Sequence, residues 1–232
     1  MKNRLLIALK ADIIFQYKQG FYLVYFIISV LYLIILSQLP QSVVKYILPI
    51  ILYTDPSVLG LFFIGGILLL EKEQGILSLI YVTPLRIWEF IVSKLSALCL
   101  ISLFAVLSIS LISYHDTTNY FLLILGVILT SILYTTFGFI IATKSKSVND
   151  FFVRMVPQMI VFIAPCIVMF FYPEFKLLNI IPSVASIRLI WGAYHGMGLL
   201  EAIFCLLYLC ILIGFFINYT YKTFRDNMVI EG

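Results

Sequence analysis

The sequence predicts an all-α polytopic membrane protein: six transmembrane helices, an N-terminal amphipathic interfacial helix, a short helical segment between spans two and three, and interfacial or re-entrant helices between spans five and six. Three observations predict it. Of the 232 residues, 63% are hydrophobic and 11% charged, with a mean hydropathy of +1.12. An ordinary soluble domain carries about 25% charged and 45–50% apolar residues, and a soluble core of this size could not hide so much apolar surface. Long charge-free runs alternate with short polar interruptions, and the basic residues collect on alternate interruptions.

Residues 1–19 are too charged to cross a bilayer. At about 100° per residue, Leu5, Leu6, Leu9, Ile13 and Tyr17 share one face while Arg4, Asp12 and Lys18 lie opposite, which predicts a helix in the headgroup layer. A signal peptide fits less well, because no small-x-small cleavage site follows the apolar run. Span one is placed at 21–39, 19 residues without a charge and roughly 28 Å long as a helix. Residues 41–54, with Lys45 and Pro49, read as a short surface segment. Asp55-Pro56 then reads as an N-cap followed by a first-turn proline, starting span two at 56–73. Gly75 sits where a helix C-terminal cap belongs.

The stretch Glu71–Lys94, EKEQGILSLIYVTPLRIWEFIVSK, is the most polar interruption between two spans. Thr83-Pro84 repeats the hydroxyl-then-proline start signal, so Ile76–Tyr81 is expected as a short separate helix and a new helix is expected from Pro84. Span three follows at 91–112 and span four at 120–142. Span five, at 151–171, holds Pro157 and Pro165, where kinks are expected. Tyr172–Gly198 mixes polar and apolar residues and reads as short interfacial or re-entrant helices. Span six is placed at 199–219. The whole chain, 1–232, reads as one transmembrane domain.

With both termini cytoplasmic, twelve basic residues fall inside (Lys2, Arg4, Lys10, Lys18, Lys72, Arg86, Lys94, Lys144, Lys146, Arg154, Lys222, Arg225) and three outside (Lys45, Lys176, Arg188). The positive-inside rule therefore puts Glu71–Lys94 in the cytoplasm, and the basic side suits an anionic leaflet rather than nucleic acid.

The chemistry excludes several classes. No metalloprotease, nucleophile-elbow or metal-spaced His/Cys motif occurs, so no catalytic or metal-ligating residue is assigned and the chain is not expected to be an enzyme. His115 and His195 read as solvated loop residues. Glu71 and Glu73, two apart on a helix, do not face each other and read as a solvated helix end. Cys99, Cys166, Cys205 and Cys210 lie in apolar runs and read as small hydrophobes. Titratable groups deep in the spans are nearly lacking, Lys94, Arg154 and Glu201 being placed near span ends where they can snorkel. That counts against an ion-coupled transporter. With no phosphate-binding loop, no nucleotide is bound here, and an active pump would draw its energy from a partner.

LLLEKEQGILSLIYVTPLRIWEFIVSKL resembles the signature of ABC-2-type exporter membrane subunits. The match consists of an acidic pair and glycine after span two, an apolar helix, a Thr-Pro turn, then Glu and Lys opening span three. Glu71, Glu73, Gly75, Thr83, Pro84, Glu89 and Lys94 carry it, with Ile76 and Ser78 where the family has Thr and Glu. The Asp-Pro before span two, the FFIGG run and the TKSKSVND turn further resemble fluoroquinolone-export-type permeases. The resemblance implies a coupling helix docked on a cytoplasmic ABC ATPase subunit, present in two copies and binding the ATP. It also implies a second six-span permease, identical or homologous, outer re-entrant helices at the exit, and residence in a bacterial plasma membrane.

On that footing the ATPase-coupling residues are Glu71, Glu73, Gly75, Ile76, Leu77, Tyr81, Thr83, Pro84, Glu89 and Lys94. Tyr22, Tyr25 and Tyr32 are candidate substrate-path aromatics, with a lipid-facing role as the alternative. The expected function is outward movement of an apolar or amphipathic, drug-like molecule by alternating access. A self-sufficient ion-coupled transporter or channel, export of a lipid or peptide by the same machinery, and a non-transport membrane protein remain the alternatives.

Overall fold

The computed structural model describes residues 2–79, 83, 85–115, 117–171, 178 and 180–228. Its elements are α1 (Lys2–Lys18), α2 (Phe21–Ser37), α3 (Gln41–Thr54), a π-helical turn (Asp55–Leu59), α4 (Gly60–Glu73), α5 (Ile76–Leu79), α6 (Ile87–Ser113), α7 (Tyr120–Lys144), α8 (Val148–Phe171), α9 (Pro182–His195) and α10 (Leu199–Met228). Among the described residues, five helices are long and apolar enough to cross a membrane. The bent pair α1–α2, turning by 65°, brings the number to six if it forms one span.

The largest correction concerns span two. Residues 41–54 are not a surface segment but the first half of a 33-residue helix running from Gln41 to Glu73. Asp55 is accordingly no N-cap: its φ of −59° and ψ of −61° keep it helical. Pro56 does not begin a helix but widens one into a π-turn, a local response to an interrupted hydrogen-bond ladder. The Ser57 hydroxyl donates to the Tyr53 carbonyl at 2.6 Å, adding a bond where the ladder is loosened.

Span three differs more modestly. Its helix starts at Ile87, after Arg86 in extended conformation. Glu89 accepts from the Arg86 backbone N–H at 3.0 Å, so the acidic third residue, rather than Thr83-Pro84, caps it. Thr83 lies outside any helix and is exposed; Pro84 lies outside the described residues. Gly75 follows α4 with φ +69°, the left-handed conformation expected of a terminating glycine.

α7 is the hub, packing against α4, α6, α9 and α10. Small and hydroxyl residues line it (Gly126, Thr130, Ser131, Thr135, Thr136, Gly138), all buried, which lets neighbouring backbones approach closely. At Gly138 a Cβ would stand 2.6 Å from the Leu61 carbonyl oxygen and 2.4 Å from Ile64 Cγ2, so the α4–α7 contact requires glycine. Its hydroxyls bridge outward: Ser131 accepts from Ser102 at 3.2 Å, and Tyr134 bonds Tyr53.

α8 and α10 lie on the periphery, with Val153, Ile160, Val161, Leu207, Ile211 and Phe215 exposed, as lipid-facing or subunit-facing helices should be. The re-entrant segment resolves partly. Residues 172–177 and 179 fall outside the described residues, while α9 is a single 14-residue helix with Val184, Ala185, Leu189 and Ile190 fully buried. His195 is not a solvated loop residue, since it ends α9 and stacks on Trp191 with ring centroids 4.2 Å apart. Cys99, Cys166 and Cys205 are buried and unpaired as expected, whereas Cys210 is exposed.

Candidate functional site

Three elements remote in sequence meet at one end of the bundle. Lys94, on the second turn of α6, is 1% exposed. Its ammonium donates to Asp12 Oδ1 of α1 at 2.9 Å and to Glu71 Oε1 of α4 at 2.6 Å. Ser93 donates to the other Asp12 oxygen at 2.5 Å, and the Phe90 ring lies 4.5 Å below the ammonium, adding a cation–π contact. Two carboxylates share one cation, and Glu71 Oε2 has no protein partner among the described residues. A buried charge is tolerated only where partners satisfy it. Here the partners come from three helices, so the network fixes their relative positions.

Two expectations are overturned. Lys94 does not snorkel to the interface, because no long side chain can reach water while gripped on both sides inside the bundle. Glu71 is no solvated helix end: it turns inward, while Glu73, on the other side of α4, is exposed. The amphipathic helix likewise departs from its expected pattern. Asp12 and Gln16 of α1 are buried, whereas Leu6, Ile7 and Tyr17 are exposed. Asp12 turns inward to the buried ammonium, while Arg4 and Lys18 stay exposed and Leu5, Leu9 and Ile13 are half-buried.

The remaining coupling candidates extend from this network. Gly75 turns the chain out of α4 into α5, where Leu77 is buried and Ile76 half-buried. Glu89 is buried at the cap of α6. Tyr81 and Pro84 lie outside the described residues. A cleft of about 350 Å³ opens beside the network, bounded by Ala8, Ala11, Phe15, Ile76, Thr83 and Leu85. α1, α5 and the entrance to α6 thus surround one recess that Asp12, Glu71 and Ser93 of the network also line.

The tyrosines of α2 separate from one another. Tyr22 is half-buried and meets Tyr17 edge-on. Tyr25 is buried against Phe63, ring centroids 5.1 Å apart. Tyr32 is half-buried near Thr54.

Sequence reasoning missed Asp12, Ser93 and Asp55. A signal for a partner to Lys94 existed: a lysine flanked by IVS and LSALCL needs a buried acid. Which acid answers it, 82 residues away, no local pattern could say.

Residues 3–231 match a known family along nearly their whole length. The chain belongs to the fluoroquinolones export permease protein family. The permease is 29% identical over 199 residues to the fluoroquinolones export permease proteins of two Mycobacterium tuberculosis strains, covering 85% of this chain and 84% of each relative. The resemblance read from Glu71–Lys94 and the flanking motifs is therefore upheld at family level. A multi-pass membrane permease with a role in transport, rather than a catalyst, follows from the family and the apolar helices together.

At the far end of the Gln41–Glu73 helix a second recess, about 500 Å³, is bounded by Tyr46, Arg188, Trp191, Met197 and Glu201. Arg188 and Glu201 pair across it at 2.7 Å. Burial and the nearby Lys45 charge hold the His195 imidazole below its ordinary value of 6.5, against the opposing hydrogen bond to the Trp191 carbonyl.

Proposed function

We propose that this chain is the membrane subunit of an ATP-driven exporter of drug-like, amphipathic small molecules, and that Glu71–Lys94 is where a separate ABC ATPase pushes on it. The observation that carries this reading is the buried Asp12–Lys94–Glu71 network at the base of the α5 segment. A short helix alone transmits little force. α5 begins five residues after Glu71, and through Lys94 that point is tied to α6 and α1. Displacement of α5 would then move three helices as one body instead of bending a loop. The recess between α1, Ile76 and Thr83 is the surface offered to the partner. Such a linkage fits the discrete, packed two-position elements on which alternating access depends.

The relatives' name supplies the cargo class: a fluoroquinolone is an aromatic, amphipathic molecule, in keeping with a chain of 20 Phe and 15 Tyr. In this reading two permease chains and two ATPase subunits assemble in a bacterial plasma membrane, with α1, α5 and both termini on the ATPase side.

The experiment is co-expression with a candidate ATPase subunit, copurification, and export of a fluorescent fluoroquinolone from loaded cells. The expected result is a stable complex whose ATP-dependent efflux is lost in Glu71→Gln and Lys94→Met while the complex still copurifies. Efflux by the chain alone without ATP, or unaltered efflux in both variants, would overturn the reading.

A further inference from the structure

Asp55 is the opposite of Lys94. It is 0% exposed, and neither carboxyl oxygen has a hydrogen-bond partner among the described residues. It is the fifteenth residue of the 33-residue helix Gln41–Glu73, so it lies about 24 Å along the axis from Glu71, near the midpoint of a segment long enough to cross a bilayer. A charge at that depth is costly unless it is paired or has a function. No lysine or arginine among the described residues pairs with it; the one ammonium buried in the bundle is held by Asp12 and Glu71.

The surroundings are polar without being satisfied. Tyr25 of α2 is fully buried with its hydroxyl unpartnered and lies within electrostatic reach of Asp55, as does Tyr32. Cys99 of α6 is the other titratable group beside Tyr25. On α7, Thr135 packs against Gly60, one turn beyond, and its hydroxyl also lacks a partner. Tyr134 is committed to Tyr53 on the other side of the helix. A carboxyl retained for structure would be expected to hold hydrogen bonds to the protein; this one has none among the described residues. It sits in a π-turn, a feature that recurs at functional sites and gives a helix a place to change its winding.

We propose that Asp55, with Tyr25 beside it, is an intramembrane site for one exchangeable proton, taken up and released as the helix rearranges at the π-turn. The carboxylate gains a proton from water to become a neutral carboxyl, and returns it when the site opens again; nothing else is consumed. A proton suits the site better than a metal ion. Hard cations collect about six or more oxygens, whereas one carboxyl and one phenol stand here. Proton exchange at this position would make the conformational balance of the permease depend on pH, whatever its cargo.

The test uses the full chain in lipid vesicles and dicyclohexylcarbodiimide, which adds to protonated carboxyls in apolar surroundings and leaves a stable N-acylurea. Peptide mass spectrometry then locates the adduct from roughly pH 5 to pH 9, a range that spans the values reached by buried carboxyls. The expected result is labelling at Asp55 that falls along a single titration as pH rises, with none in Asp55→Asn and none at Asp12 or Glu71. Absence of Asp55 labelling throughout, or labelling that does not change with pH, overturns the proposal. Protection by sodium chloride at fixed pH overturns the proton in favour of an alkali cation. This arm needs neither ATPase nor cargo, so its failure is separate from failure of the export reading. Where efflux is measurable, its pH profile should bend near the labelling titration and flatten in Asp55→Asn; an unchanged profile in a variant that still exports overturns the link to transport.

Discussion

One helix carries two acids buried by opposite means. Near its end, Glu71 is buried because an ammonium from α6 meets it at 2.6 Å and a second carboxylate from α1 shares that ammonium. At its middle, Asp55 is buried among tyrosines with no hydrogen-bond partner among the described residues. The difference teaches what each can do. A paired charge holds geometry, since separating it from its partner leaves an uncompensated ion in the bundle. An unpaired carboxyl holds no geometry, and is free to change its own charge instead.

The comparison breaks first at Lys94. Lys94→Ala should destabilise the permease by roughly 3–5 kcal/mol, because two carboxylates are then buried without a cation, and thermal unfolding in detergent would show it. Replacing Asp12, Glu71 and Lys94 together by Leu, Leu and Met should restore most of that stability without restoring export. A triple variant as unstable as Lys94→Ala would mean that the network does not act as a unit.

Gly138→Leu tests the packing that both acids share, since α4 is positioned against α7 there. A side chain meeting the Leu61 backbone should cost at least about 1–3 kcal/mol, and a smaller loss would show that α4 can shift without penalty. Glu89→Ala removes only the cap of α6 and should cost about 1 kcal/mol, with the buried network intact. Asp55→Leu should leave thermal stability within about 1 kcal/mol of wild type, or raise it, because a desolvated group without a partner is removed. A large loss there would erase the contrast with Lys94.

The smallest effect belongs to His195, which must be separated from any pH dependence assigned to Asp55. Its folded value is depressed, so the unfolded chain binds more protons and stability falls as pH drops below the ordinary 6.5 and through the folded value. His195→Gln should flatten that slope in a pH series of unfolding midpoints and leave Asp55 labelling untouched.

Legibility in the sequence followed how local each cause was. Gly75 announced its left-handed turn, because only glycine takes that conformation without strain. The charge-free runs announced helices of spanning length, because hydropathy is a property of the run itself. Asp55-Pro56 misled, since the same dipeptide that begins a helix in water can interrupt one in a packed bundle, where neighbours satisfy the loosened ladder. The polar stripe expected at Arg4, Asp12 and Lys18 splits: Arg4 and Lys18 stay exposed while Asp12 meets Lys94, an ion that α1's own sequence does not reveal. Tyr25 packs in the core against Phe63, a burial that its place in a charge-free run does not reveal.

The sequence by itself determined the solvent, the all-helical class and the family, all of which rest on composition, run length and motif spacing. Only the tertiary structure decided that Asp12 and Glu71 share Lys94, that Gln41–Glu73 is one helix, and that Asp55 is left alone. Hydropathy records how much a residue prefers lipid to water. Which charges meet depends on where helices 23 and 82 residues apart come to rest, and in a low-dielectric interior that meeting separates a brace from a titratable site.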